Sequence, residues 1–114
     1  MKNILIIGAS SFVGQSLTSR LYKDFNIFGT YNKKIINKKN FIYLDLKDKL
    51  PIKKLFSKKK IHTVIWCVQN NSKNTNDRNL YEININGLIK LMNIFEKIKI
   101  EKFIFFSSGS IYEK

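Results

Sequence analysis

The stretch ILIIGASSFVG, residues 4–14, decides how the rest of the chain is read. Ile4, Leu5, Ile6 and Ile7 run without interruption into Gly8, and Gly14 follows six positions later. A continuous apolar run of this length suits a strand covered on both faces, as in a parallel sheet. From Val13 onward, apolar residues recur at Leu17 and Leu21, an i, i+4 stripe that predicts a helix over 12–23. A strand, a glycine turn and a helix in that order aim the free N–H groups of a helix N-terminus at a phosphate. Gly8 permits the sharp turn, Gly14 lets the helix pack close to the sheet, and a small residue between them lets a diphosphate approach the backbone. That middle position holds Ser11, whose Cβ narrows the approach and whose hydroxyl is a donor for a phosphate oxygen. The other reading is a small-residue turn that serves packing alone, and a glycine pair at this spacing does not by itself separate the two.

The rest of the chain repeats the alternation. Residues 25–31 (FNIFGTY), 40–46 (NFIYLDL), 61–68 (IHTVIWCV) and 102–108 (KFIFFSS) read as further strands. Pro51 fits the first turn of a short helix, where its missing N–H is not needed, with Ile52, Leu55 and Phe56 as the inner face. The polar run 69–79 reads as a loop. Leu80, Ile83, Leu88, Leu91, Met92, Phe95 and Ile98 then mark a long amphipathic helix. Strands alternating with helices predict an α/β fold, a Rossmann-like doubly wound parallel sheet of about five strands with right-handed crossovers. The sheet is expected to be incomplete at the C-terminus, because the chain stops six residues after its last strand.

Composition sets the outer limits. With 114 residues, 44% of them hydrophobic and 25% charged, the chain makes one ordered domain, 1–114. The single Cys67 forms no internal disulfide, and no cluster of Cys and His marks a metal site. No apolar run reaches the roughly 20 residues of a membrane span, and a soluble cytoplasmic protein is expected. The formal charge of +13 raises nucleic-acid binding as a hypothesis. Only Arg20 and Arg78 are arginines; the basic run 32–40 has no aromatic and 53–60 has one, Phe56, already assigned to the inner face of the short helix, so neither shows the interleaved aromatics of a single-strand platform. A solvated lysine-rich surface is therefore the favoured reading, and nucleic acid is not the expected partner.

Four motifs in this order resemble the NAD-dependent epimerase/dehydratase family, the extended short-chain dehydrogenase/reductases. Residues 8–14 (GASSFVG) are similar to the family's Gly-x-x-Gly-x-x-Gly element, with Ser11 at the middle glycine. The resemblance makes Gly8, Ser10, Ser11, Phe12, Val13 and Gly14 the diphosphate-binding loop. YLDLKD (43–48) is similar to the family's Asp-Leu pair, so that Asp45 would bond the adenine amino group and Leu46 lie beside the ring. NINGLIKLM (84–92) is similar to the Asn-x-x-Gly-x-x-x-Leu stretch, in which Asn84 would brace the active-site backbone near the cofactor. FIFFSSGSIYE (103–113) is similar to the strand ending in Ser-Ser-x-x-x-Tyr-Gly, which puts Ser108 on the catalytic Ser/Thr. Asn32 and Lys33, after the second strand, and Val68, at the end of the fourth, complete the implied cofactor contacts. The resemblance covers only the N-terminal part of a typical member.

What it implies is the NAD(P)-binding portion of a nucleotide-sugar epimerase, dehydratase or reductase acting by hydride transfer. An acid after the second strand would bind the ribose 2′-OH of NAD. Here the strand ends Tyr31-Asn32-Lys33-Lys34: the cofactor is NAD or NADP, with Lys33 and Lys34 leaning the choice to the extra phosphate of NADP, and the other reading has these lysines simply facing water. The fourth strand departs from the family's His-x-Ala-Ala ending: Trp66 and Gln69 are bulkier than expected beside the nicotinamide ribose, and His62 stands near its start. His62 reads as a surface residue and Cys67 as a small buried hydrophobe.

Family chemistry also needs a Tyr-x-x-x-Lys pair on a helix, because a phenol with a pKa near 10 requires a fixed cation to act as a base near neutrality. Tyr112 has no residue four positions later, and Tyr43 with Lys47 falls on a strand and the turn after it, where i and i+4 share no helical face. The chain alone is accordingly expected to be truncated and inactive. Two other functions remain open: a non-catalytic NADP-binding sensor module, and a basic nucleic-acid-binding protein. The apolar fifth strand, left at the sheet edge, is expected to promote self-association.

Overall fold

Asn3–Ile7 form β1, the middle strand of a five-stranded parallel sheet, in a computed structural model that describes residues 1–32, 34–45, 60–68 and 86–106. The other strands are β2 (Asn26–Tyr31), β3 (Phe41–Tyr43), β4 (Thr63–Trp66) and β5 (Lys102–Phe105). Two helices lie among the described residues, α1 (Phe12–Leu21) and α2 (Gly87–Ile98). The strand order is β3-β2-β1-β4-β5, and every pairing is parallel. Ile4 pairs with Ile27 of β2 on one side and Thr63 of β4 on the other. The order therefore reverses between β1 and β4, and at such a switch point the carboxyl ends of the strands open a crevice.

β1 is apolar from Ile4 to Ile7, where both of its faces are covered. Leu5 and Ile7 join Phe28, Val64 and Trp66 in one core, closed by Leu91 and Phe95 of α2. Ile4 and Ile6 join Ile27, Ile65 and Cys67 in the other, closed by Val13, Leu17 and Leu21 of α1. The two-residue period of a strand thus deals successive side chains to opposite helical layers. This is the doubly wound arrangement expected from the sequence.

The elements are shorter than their apolar runs. Ladder bonds continue one residue beyond several strand ends, as when Leu44 N–H donates to Tyr31 O at 2.8 Å and Cys67 N–H to Ile7 O at 2.8 Å. In α2 the inward stripe is Leu88, Leu91, Ile94 and Phe95. Met92, expected on that stripe, is 46% exposed, because the helical period carries it past the edge of the buried face. Lys99 closes the helix in the left-handed region at φ 55°. The short helix expected at Pro51, the loop expected over 69–79 and the helical start expected over 80–85 lie outside the described residues.

β5 pairs only with β4 among the described strands and stands at the sheet edge, as expected. Ile104, Phe105 and Phe106 are all substantially exposed there. Among the described residues, no helix is long and apolar enough to cross a membrane.

Candidate functional site

The turn between β1 and α1 sits at the carboxyl rim, beside the switch point. Gly8 has φ +83°, a conformation open to glycine and strained for other residues. A Cβ there would also meet the Cys67 carbonyl carbon and the Val68 nitrogen at 3.0 Å, so the turn lies directly against the segment leaving β4. Gly14 is buried, and a Cβ on it would stand 2.4 Å from the Gly8 carbonyl oxygen. The first turn of α1 is seated on the glycine turn itself.

Ser11 is the N-cap of α1. Its backbone is extended, and its hydroxyl oxygen accepts the Gly14 N–H at 3.0 Å. Its own N–H donates to Gly8 O at 3.1 Å, and its carbonyl accepts the Gln15 N–H at 2.9 Å. The serine that replaces the expected glycine thus supplies a side-chain acceptor for the helix start that glycine lacks.

The N–H groups of the turn fall into two sets, those bonded within the protein and those left open. Gly8 N–H donates to the Thr30 hydroxyl at 2.9 Å, and Ala9 N–H to the Thr30 carbonyl at 2.7 Å. Ser11, Gly14 and Gln15 are satisfied as described above. The N–H groups of Ser10, Phe12 and Val13 have no acceptor among the described residues. Ser10 and Val13 are partly exposed and Phe12 is 84% exposed. The first turn of α1 carries no acidic residue, so the positive end of the helix dipole is not offset by a carboxylate within it. A loop with unmet donors, no carboxylate of its own, a positive-φ glycine and a second glycine packed on backbone fits a diphosphate.

Other expected contacts lie on the same rim. Asn32 follows β2 and donates its amide to Leu44 O at 3.3 Å, tying the ends of β2 and β3 together. Asp45 lies two residues beyond β3 and is partly buried. Val68 is partly buried, two residues beyond β4, with its nitrogen near the Gly8 turn. Tyr31 and Tyr43 meet edge to face at the ends of β2 and β3, with centroids 6.2 Å apart. Lys33, Leu46, Gln69, Asn84, Ser108 and Tyr112 lie outside the described residues.

Thr30 escapes the motif-based reading. The one available signal is a hydroxyl inside the apolar strand run NIFGTY, since a buried polar group requires a partner. Trp66 corrects an expectation: it is 1% exposed, stacks on Phe105 with centroids 6.4 Å apart, and belongs to the α2 core. Burial removes its indole from any place beside a ribose. Cys67 faces the α1 core as a small buried hydrophobe, and burial pushes its thiol up to about 11. His62, expected at the surface, is instead partly buried at the opposite end of β4 from the glycine turn. Its Nδ1 lies 2.7 Å from the Thr63 hydroxyl and its Nε2 pairs with the Glu101 carboxylate. Among the described residues, no group of His, Cys, Asp and Glu side chains is arranged to hold a metal ion.

Residues 4–114 match the model of the NAD dependent epimerase/dehydratase family. A protein of Methanocaldococcus jannaschii named "Putative UDP-glucose 4-epimerase" is 29% identical over 115 residues, which cover 93% of this chain and 38% of that protein. A UDP-glucose 4-epimerase crystal structure superposes with a TM-score of 0.82 at 22% identity, covering 99% of this chain and 37% of that one. The UDP-glucose 4-epimerase of Bifidobacterium longum, solved in complex with NAD+ and UDP, superposes with a TM-score of 0.80 at 19% identity, over 97% of this chain and 38% of that one. The chain thus spans less than two fifths of the length of each of these relatives.

Proposed function

The chain belongs to the NAD-dependent epimerase/dehydratase family, and from that premise we propose that residues 1–114 are the dinucleotide-binding portion of a nucleotide-sugar epimerase, dehydratase or reductase. The observation that carries this reading is the set of unmet donors at Ser10, Phe12 and Val13, held at the switch point by two tightly packed glycines. The nicotinamide cofactor supplies the hydride chemistry when bound. The chain's own residues bind and orient it. The loop from Gly8 to Gly14 holds the diphosphate, Asp45 and Leu46 the adenine, Asn32 and Lys33 the adenosine ribose side, and Val68 and Asn84 line the remaining path. Ser108 is proposed to bond the substrate oxygen. A bound NAD+ and UDP in the Bifidobacterium longum relative accord with a nicotinamide cofactor and a nucleotide-sugar substrate for the whole enzyme.

The sequence Tyr31-Asn32-Lys33-Lys34 carries no carboxylate to receive a ribose 2′-OH, which supports NADP over NAD. Without a helical Tyr-x-x-x-Lys pair in these residues, we expect binding without turnover. A single, buried Cys67 accords with a reducing compartment, and we place the protein in the cytoplasm.

Fluorescence titration with NADPH and NADH tests the reading. Saturable binding of both, tighter for NADPH, is the expected result. Failure to bind either overturns it. Retention on DNA or RNA with a steep salt dependence would point instead to the +13 charge as the functional feature.

A further inference from the structure

We propose that Thr30 is a positioning residue for the diphosphate of the bound dinucleotide, an inference that rests on the cofactor site proposed above. Thr30 is the penultimate residue of β2 and is 2% exposed. Its hydroxyl oxygen accepts the Gly8 N–H at 2.9 Å, and its carbonyl accepts the Ala9 N–H at 2.7 Å. One residue of the neighbouring strand thus takes two consecutive donors of the glycine turn. Each N–H in such a turn either bonds the protein or serves a ligand. By engaging Gly8 and Ala9, Thr30 fixes the two peptide planes that enter the loop and leaves the Ser10, Phe12 and Val13 donors for the diphosphate. Gly8 needs this restraint because glycine populates both signs of φ with similar ease, and at φ +83° it has no side chain to hold it. A backbone carbonyl at position 30 is available whatever the residue. The second acceptor is not: it needs a side-chain oxygen, which the Thr30 hydroxyl supplies at 2.9 Å from the Gly8 nitrogen.

The test compares Thr30→Val, which keeps the shape and removes the acceptor, with Thr30→Ser, which keeps the acceptor. NADPH and adenosine, which lacks any phosphate, are titrated against each folded variant. Thr30→Val is expected to weaken NADPH binding about tenfold, the scale of one hydrogen bond lost from an ordered site. Adenosine affinity should change less than about twofold on the same scale, and Thr30→Ser should restore NADPH binding. An equal loss for both ligands, or wild-type NADPH affinity in Thr30→Val, overturns the positioning role while leaving the cofactor site standing. Failure of the wild-type chain to bind NADPH overturns both. Amide exchange on the wild-type chain gives an independent check should Thr30→Val not fold. The Gly8 N–H should be protected before ligand is added. Protection that arises only with NADPH would assign that donor to the ligand and overturn the proposal.

Discussion

Gly14 rests on the carbonyl of Gly8: a Cβ at position 14 would stand 2.4 Å from that oxygen and 2.7 Å from the Ala9 Cα. The two glycines that bracket the loop are therefore one packing contact. It joins the end of β1 to the start of α1 without a side chain between them. The loop's donors inherit their position from this contact, because neither backbone segment can shift without the other.

Gly14→Ala tests that corner. Alanine favours a helix interior over glycine by about 1 kcal/mol, which alone predicts stabilisation. The opposing cost is steric and falls on backbone atoms with no rotamer to yield, where overpacking costs about 1–3 kcal/mol or more. The clash wins, and a lower urea midpoint is expected together with weaker NADPH binding. A midpoint equal to or above wild type would show that α1 is free to ride away from the turn.

Ser11 separates two roles that its position combines. Ser11→Ala removes the acceptor for Gly14 N–H, and loss of an N-cap of this kind costs about 1 kcal/mol. Ser11→Gly, which restores the glycine common in the family, should cost only a few tenths of a kcal/mol, since glycine caps tolerably. Urea unfolding of the two variants should therefore rank wild type, Gly, Ala in falling stability. Equal midpoints for all three would deny the hydroxyl its capping role.

Much of this architecture was legible because its signals are periodic. The unbroken run Ile4–Ile7 identified a strand covered on both sides, and Val13, Leu17 and Leu21 marked the face of α1 that closes one core. Met92 misled because it adjoins the inner stripe in a helix whose outer face also carries Ile89, 53% exposed. Trp66 misled for a different reason: with both faces of the sheet buried, alternation no longer tells which layer a strand residue enters. Thr30 was invisible to motif reading because its role depends on which strand lies beside β1. That is a fact of topology, which no local spacing records. His62 likewise finds Glu101 only once β4 and β5 are paired.

Cys67 gives the chain a defined alkaline sensitivity. Burial raises its thiol from the usual 9.0 to about 11. In the unfolded chain the thiol ionises near its usual value, so between these two points the unfolded state holds fewer protons than the folded one. Stability then falls as pH rises: the contribution is fully present below about pH 9 and is lost as pH climbs through about 11. Cys67→Ala should flatten this part of the stability–pH curve relative to wild type, while lysine titration, common to both proteins, cancels in the difference. At neutral pH the native thiol should also react slowly with a thiol reagent and quickly in urea. Rapid modification of the folded chain would contradict its burial.

The edge strand β5 is expected to set the solution behaviour of these residues. Ile104 lies opposite Ile65 in the register and is 42% exposed, while Phe105 stacks on Trp66 and is 52% exposed. An apolar strand with one side unpaired among the described strands is a template for a second copy. The formal charge of +13 opposes that encounter, but charge repulsion is screened within about 8 Å at physiological salt whereas apolar contact is not. Association should therefore strengthen as salt is raised, the reverse of the trend for binding a polyanion. Sedimentation at increasing protein concentration should show self-association at moderate salt. Ile104→Lys, placing a charge on the exposed apolar strip, should reduce it with only a small change in urea midpoint. A concentration-independent monomer across this salt range would remove β5 as an association surface.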